Sequence, residues 1–180
     1  SVLEPDRTAG QESAYVLREG AVYGLRPDAD LKIDAEDFTA KLDQAGQLIS
    51  QDIDQALDLY EQAFDLYAGE FLPDARYEVW SAIEREHLAV RYLQAADEYC
   101  ELNLARNQYH QVIKECQRIL TQDSCWERAY RYQMAAFDGL GDHGQIARTY
   151  QRCVDTLKSE LNVAPSNETE SLYQRLISSR

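Results

Sequence analysis

Two stretches of this chain, 34 residues apart, carry the same pattern, and a repeat of that length leaves few folds open. The first reads NQYHQVIKECQRILTQD, from Asn107 to Asp123, and the second GDHGQIARTYQRCVDTL, from Gly141 to Leu157. In register, Asn107 meets Gly141, Val112 meets Ile146, Ile113 meets Ala147, Cys116 meets Tyr150, Gln117-Arg118 meets Gln151-Arg152, and Leu120 meets Val154. Each copy is a turn followed by an amphipathic helix. Such a unit leaves an apolar face open that only a neighbouring unit covers, so the units stack and the stack offers a groove to a partner. A plain helical bundle in which two helices are similar by chance is the alternative.

The rest of the chain agrees with stacking. Asp34 can cap a helix through Phe38 and Leu42 toward Ala45, and Ser50 a second carrying Ile53, Leu57, Tyr60, Phe64 and Tyr67 at helical spacing. Gly69 ends it, before the irregular Phe71-Leu72-Pro73-Asp74. A long helix follows to about Arg106, with Trp80, Ile83, Leu88, Tyr92, Ala95, Tyr99 and Leu102 as its apolar positions. After the first repeat helix, Ser124 and Glu127 have the spacing of a capping box for a helix that buries Trp126, Ala129, Tyr130, Met134 and Phe137. Asn162-Val163-Ala164-Pro165 ends the second repeat helix, and Ser166 or Asn167 caps a last one bearing Leu172, Tyr173, Leu176 and Ile177. The fold expected is mostly α, an antiparallel tetratricopeptide-like array of about seven helices over residues 34–180. Trp80, Trp126 and Phe137 are expected in its core.

Residues 1–33 differ. Leu3-Glu4-Pro5-Asp6 reads as a helix end. Ala14-Tyr15-Val16-Leu17 and Ala21-Val22-Tyr23-Gly24-Leu25 are β-prone runs around Arg18-Glu19-Gly20, a hairpin with Gly20 free to take a positive φ. A helix end, a loop and a hairpin bury no core alone, so this segment is expected to belong with something else. The chain begins Ser1-Val2-Leu3 without a methionine, as a piece of a longer protein would.

Charge narrows the partners. Eighteen basic against 32 acidic residues give −14, which repels phosphates and anionic lipid. No apolar run reaches membrane-spanning length. Cys100, Cys116, Cys125 and Cys153 form no CxxC or zinc spacing and read as buried, reduced thiols of a cytoplasmic protein. His87, His110 and His143 are scattered, with no HExxH pattern. The glycines at 139, 141 and 144 lack the strand and lysine of a phosphate loop and fall where the repeat turns. No nucleophile sits in a catalytic signature. Neither an enzyme nor a metal or cofactor protein is expected. Tyr60, Tyr67, Tyr99, Tyr130 and Tyr150 match core stripes. Tyr92, Tyr109 and Tyr132 are candidates to face the groove, where an aromatic ring with a polar tip suits partner recognition.

Several ordered motifs carry a family resemblance. Tyr67-Ala68-Gly69-Glu70-Phe71-Leu72-Pro73, Tyr77-Glu78-Val79-Trp80, Glu84-Arg85-Glu86-His87-Leu88, Gln151-Arg152-Cys153, and Glu160-Leu161-Asn162-Val163-Ala164-Pro165-Ser166-Asn167-Glu168-Thr169 resemble the bacterial transcriptional activation domain of antibiotic regulatory proteins and related activators. The resemblance covers roughly residues 34–179, and departs at Asn162, where glycine is usual. It implies a response-regulator-type winged-helix domain ahead of the array, and residues 2–25 look like its tail, with the hairpin as the wing. Arg18 is then a candidate wing contact to DNA. The helices that would enter the major groove are absent, so the implied function is a regulatory or activating protein-interaction domain. Its partner would be another subunit, as in a homodimer, another domain of the parent, or the transcription machinery. DNA would be reached only through upstream residues. A small-molecule signal sensor and a generic cytosolic scaffold are the alternatives.

Overall fold

Both copies of the repeat open on a residue in the left-handed region, Asn107 at φ 59° and Gly141 at φ 71°. Asparagine and glycine are the two residue types that take this conformation at least cost. The computed structural model in which they are seen describes Glu4, Asp6, Thr8, Ala29 and residues 11–26, 32–75 and 77–178. Its elements are β1 (Val16–Glu19), β2 (Val22–Leu25), α1 (Asp34–Leu48), α2 (Ile53–Leu66), a 3-10 turn (Pro73–Ala75), α3 (Val79–Ala105), α4 (Tyr109–Gln122), α5 (Glu127–Gly139), α6 (His143–Glu160) and α7 (Asn167–Ser178). The described residues thus form seven helices and one two-stranded antiparallel hairpin, whose register pairs Val16 with Leu25 and Glu19 with Val22. Gly20, at φ 65°, makes the tight turn between them.

Each helix packs on the next in sequence, and α1, α3, α5 and α7 also pack on one another in succession. That is the contact pattern of stacked helix pairs, α1/α2, α3/α4 and α5/α6, closed by α7. The repeat register holds at the level of burial. Val112 and Ile146 are both buried, as are Glu115 and Thr149, and Ile119 and Cys153. Arginine–carboxylate pairs tie each step of the odd-numbered row: Asp43 to Arg91, Asp97 to Arg128, and Glu168 to Arg131.

Aromatic rings fill the first half of the core. Phe64 meets Tyr92 and Tyr99 edge-on at 5.5 and 5.4 Å, and Tyr67 stacks on Tyr92 at 4.6 Å. A buried tyrosine must place its hydroxyl, and carboxylates of neighbouring helices accept it. Tyr60 donates to Glu98, Tyr99 to Glu61, and Tyr92 to Glu115 at 2.8 Å. Cys100, Cys116 and Cys153 are buried free thiols, and Cys125 is half-buried.

The helix starts differ from the sequence reading in three places. Ile33 occupies the cap of α1, with Asp34 as its first residue. Asp52, not Ser50, caps α2, its Oδ1 accepting from the Gln55 amide at 3.0 Å. The capping box at Ser124 does not form. Ser124 instead donates to Glu160, and Glu127 accepts from the amide and hydroxyl of Ser166, at 2.9 and 2.8 Å. The carboxylate expected to close its own helix therefore anchors the start of α7. Ser166 does cap α7, accepting from Thr169, and Asn162 does take the left-handed turn, at φ 56°. Ile83 and Ala147 are exposed, not buried. Trp126 and Phe137 are half-buried at the edges of their clusters, and the side chain of Trp80 and most of residues 1–6 lie outside the described residues.

Two carboxylates should respond to pH in opposite directions. Burial raises the Glu115 carboxyl above the ordinary range, against the opposing pull of the Tyr92 hydroxyl, Arg118 and Lys114. A raised folded-state pKa makes the fold less stable as pH rises from the unfolded value through the folded one. Glu115→Gln keeps an acceptor for Tyr92, and Arg118 retains Asp65 at 2.9 Å. The variant is expected to be more stable than the parent near neutral pH, by about 1 kcal/mol, with the difference vanishing in acid. Denaturant melts across pH would read this.

Glu127 has the other sign. Burial alone would push its carboxyl up, but hydrogen bonds from Thr169 and Ser166, and the Arg131 charge, outweigh burial and hold it low. Its contribution is present above the unfolded pKa and lost as pH falls through the folded one. Glu127→Ala is expected to cost about 1–3 kcal/mol, and hydrogen exchange should show α7 loosening before the rest.

Candidate docking surfaces

The odd-numbered helices form one face of the array, and two hollows open between them. One, of about 330 Å³, lies between α1 and α3 and is lined by Asp43, Arg91, Gln94 and Glu98. The other, of about 430 Å³, lies between α3, α5 and α7. Leu104, Tyr132, Ala135 and Leu172 give it apolar walls, and Arg131, Glu168 and Arg175 give it charge. Arg131 is positioned by Thr169 Oγ1 at 3.0 Å and by Glu168 at 3.2 Å. Tyr132 donates to Glu101 at 3.1 Å, which holds its ring across from α5 to α3.

The three tyrosines singled out from the sequence go to three different places. Tyr132 lines the second hollow, half-buried. Tyr109 is half-buried at the start of α4, its hydroxyl donating to Asn107 and its ring lying over Gly139, where a Cβ would sit 2.2 Å from the ring. Tyr92 borders a hollow of about 370 Å³ between Tyr67, α3 and the end of α4, yet almost none of the residue is open. It is 1% exposed, and the carboxylate of Glu115 satisfies its hydroxyl, so its ring is core. Arg18 sits in the hairpin, its Nε donating to the Gly20 carbonyl at 2.9 Å and its guanidinium 5.4 Å from the Tyr23 ring.

A further surface was not singled out. Val79, Ile83 and Val90 are exposed on the first half of α3, and Tyr77, two residues ahead of the helix, is 96% exposed. Val79, Ile83 and Val90 share a face opposite Leu88, Tyr92 and Tyr99. The signal was present as two apolar stripes on one helix, and the sequence reading merged Ile83 into the buried one.

Charge is uneven along the array. Residues 34–66 hold nine carboxylates and one lysine, a net of −8, more than half of the chain's −14. Among the described residues no group of three His, Cys, Asp or Glu side chains could hold a metal ion, and no helix is long and apolar enough to cross a membrane. His87 lies 3.8 Å from Glu84 on the surface of α3.

Stacked helix pairs of this kind define a tetratricopeptide-like helical array. The family described as bacterial transcriptional activator domain matches residues 33–177, and the chain belongs to that family. This is a family of transcription-regulating domains and not of enzymes. None of the curated proteins compared with the chain matches it.

Proposed function

We propose that the array is the surface through which a bacterial transcription regulator docks a protein partner, and that residues 1–33 are the tail of a winged-helix DNA-binding domain. Support for docking comes chiefly from the hollow between α3, α5 and α7, where an ordered tyrosine and two arginines stand beside apolar walls. Such mixed surfaces, aromatic and arginine-rich, are where protein interfaces concentrate their affinity. Support for the tail reading is the hairpin. Two strands alone are marginal in water, yet Val22, Tyr23 and Leu25 are exposed on this one. On this reading Arg18, beside the turn, is the wing residue that would reach a phosphate or the minor groove.

The test uses the full-length regulator on a promoter it activates. Tyr132→Ala is expected to reduce activation by about tenfold, the scale of one interface hot spot, while promoter occupancy stays unchanged. Unchanged activation, or activation and occupancy lost together, would remove the docking role from this face.

A further inference from the structure

A cleft of about 460 Å³ lies between the start of α1, residues 66–73 and Leu88 of α3. Its floor is apolar, made by Phe38, Leu66, Tyr67, Phe71 and Leu88. The charged side chains lining it are both carboxylates, Asp34 and Glu70. Glu36 and Asp37 share the first turn of α1, and Asp74 lies in the 3-10 turn beyond the lip. Among the described residues the nearby cations are Lys32, just ahead of α1, Lys41, which donates to Gln62, and Arg85, which holds Glu70 at 3.0 Å and the Phe71 carbonyl at 3.2 Å. An apolar floor under an acidic rim complements an apolar side chain carried on a basic segment.

The lip supplies an independent observation. Leu72 holds φ 47°, and the residue is 42% exposed. The left-handed region is unfavourable for a branched residue, so the surrounding structure must impose it. Arg85 does so from one side through Phe71, and Ser81, whose hydroxyl lies 2.6 Å from the Ala75 carbonyl, pins the far end of the loop. A strained, exposed leucine adds little to the core, and glycine would sit there with less strain. Leu72 is thus left at the lip of the cleft, open to contact.

We propose that this cleft receives an apolar side chain from a segment of a partner protein flanked by lysines or arginines. The inference rests on the docking reading above and adds the chemistry of what is docked. A short fluorescent peptide with Leu-Phe between pairs of lysines is expected to bind the whole chain saturably. Binding should weaken at least about tenfold when the lysines become glutamates or the Leu-Phe pair becomes Ser-Ser. Leu72→Gly separates docking from folding. It should leave the thermal midpoint unchanged or raised, because glycine takes a positive φ freely, yet weaken the peptide severalfold. Asp34→Lys should weaken it too and flatten its salt dependence. Equal binding of the glutamate peptide, or undiminished affinity in Leu72→Gly, overturns the proposal. If that happens while activation by the full-length regulator still depends on Tyr132, the cleft assignment alone falls. If activation is also indifferent to Tyr132, the docking reading falls with it.

Discussion

Phe64→Ala is expected to destabilise the domain by about 3–5 kcal/mol, a large part of the stability a domain of this size possesses. Phe64 is 1% exposed, and Tyr60, Tyr92 and Tyr99 all contact its ring. Its loss opens a cavity that these neighbours cannot close. The hydroxyls of all three are held by carboxylates on neighbouring helices, so none can swing inward without breaking a hydrogen bond. The substitution should therefore show the full cavity cost and little relaxation. Equilibrium denaturation measures it, and a loss below about 1 kcal/mol would mean the aromatic cluster repacks freely.

The largest expected difference in binding concerns DNA. The chain of 180 residues should bind duplex DNA weakly or not at all at about 150 mM salt, since a net charge of −14 opposes phosphate approach. Arg18, the candidate contact, is one guanidinium already in contact with Gly20 and Tyr23. A longer protein carrying a winged-helix domain upstream is expected to bind its site more tightly by a factor on the order of 10³ or more, with affinity falling steeply as salt rises. In that protein Arg18→Ala should reduce the salt slope by about one. Anisotropy titrations of both proteins against specific and scrambled duplexes decide the matter. Tight, specific binding by the 180 residues alone would place the DNA contacts on the helical array. Failure of the longer protein to bind would remove the winged-helix reading of residues 1–33.

What was legible in the sequence rests on local rules. The 34-residue register put Asn107 opposite Gly141, and both take the left-handed conformation that starts the second helix of a pair. Helical periodicity found the buried stripes of α2, α4 and α6, because a side chain's place on a helix follows from its position in the chain. The hairpin turn at Gly20 and the asparagine turn at Asn162 follow from backbone sterics of single residues. The ordered motifs from Tyr67 to Thr169 pointed to the family that matches residues 33–177.

The tertiary structure decided whatever depended on which neighbour arrives. Tyr92 and Tyr132 lie on α3 and α5, neighbours in the odd-numbered row, yet one is almost wholly buried and the other half-buried beside an open hollow. α4 buries the first under Glu115, while the second, its hydroxyl on Glu101 of α3, keeps one side open to the hollow. Ser124 and Glu127 have the spacing to cap their own helix, but each found a better placed partner in Glu160 and Ser166, at separations of 36 and 39 residues. Ile83 lies on an apolar stripe that no described helix covers, while Leu88 lies on one that is buried. Leu72 holds its positive φ in a loop tied to α3 on both sides, by Arg85 at Phe71 and by Ser81 at Ala75. Periodicity assigns a residue to a face of its helix. Only the packing of the other helices determines whether that face meets protein or solvent, because burial and polar pairing are properties of two surfaces and a sequence pattern describes one.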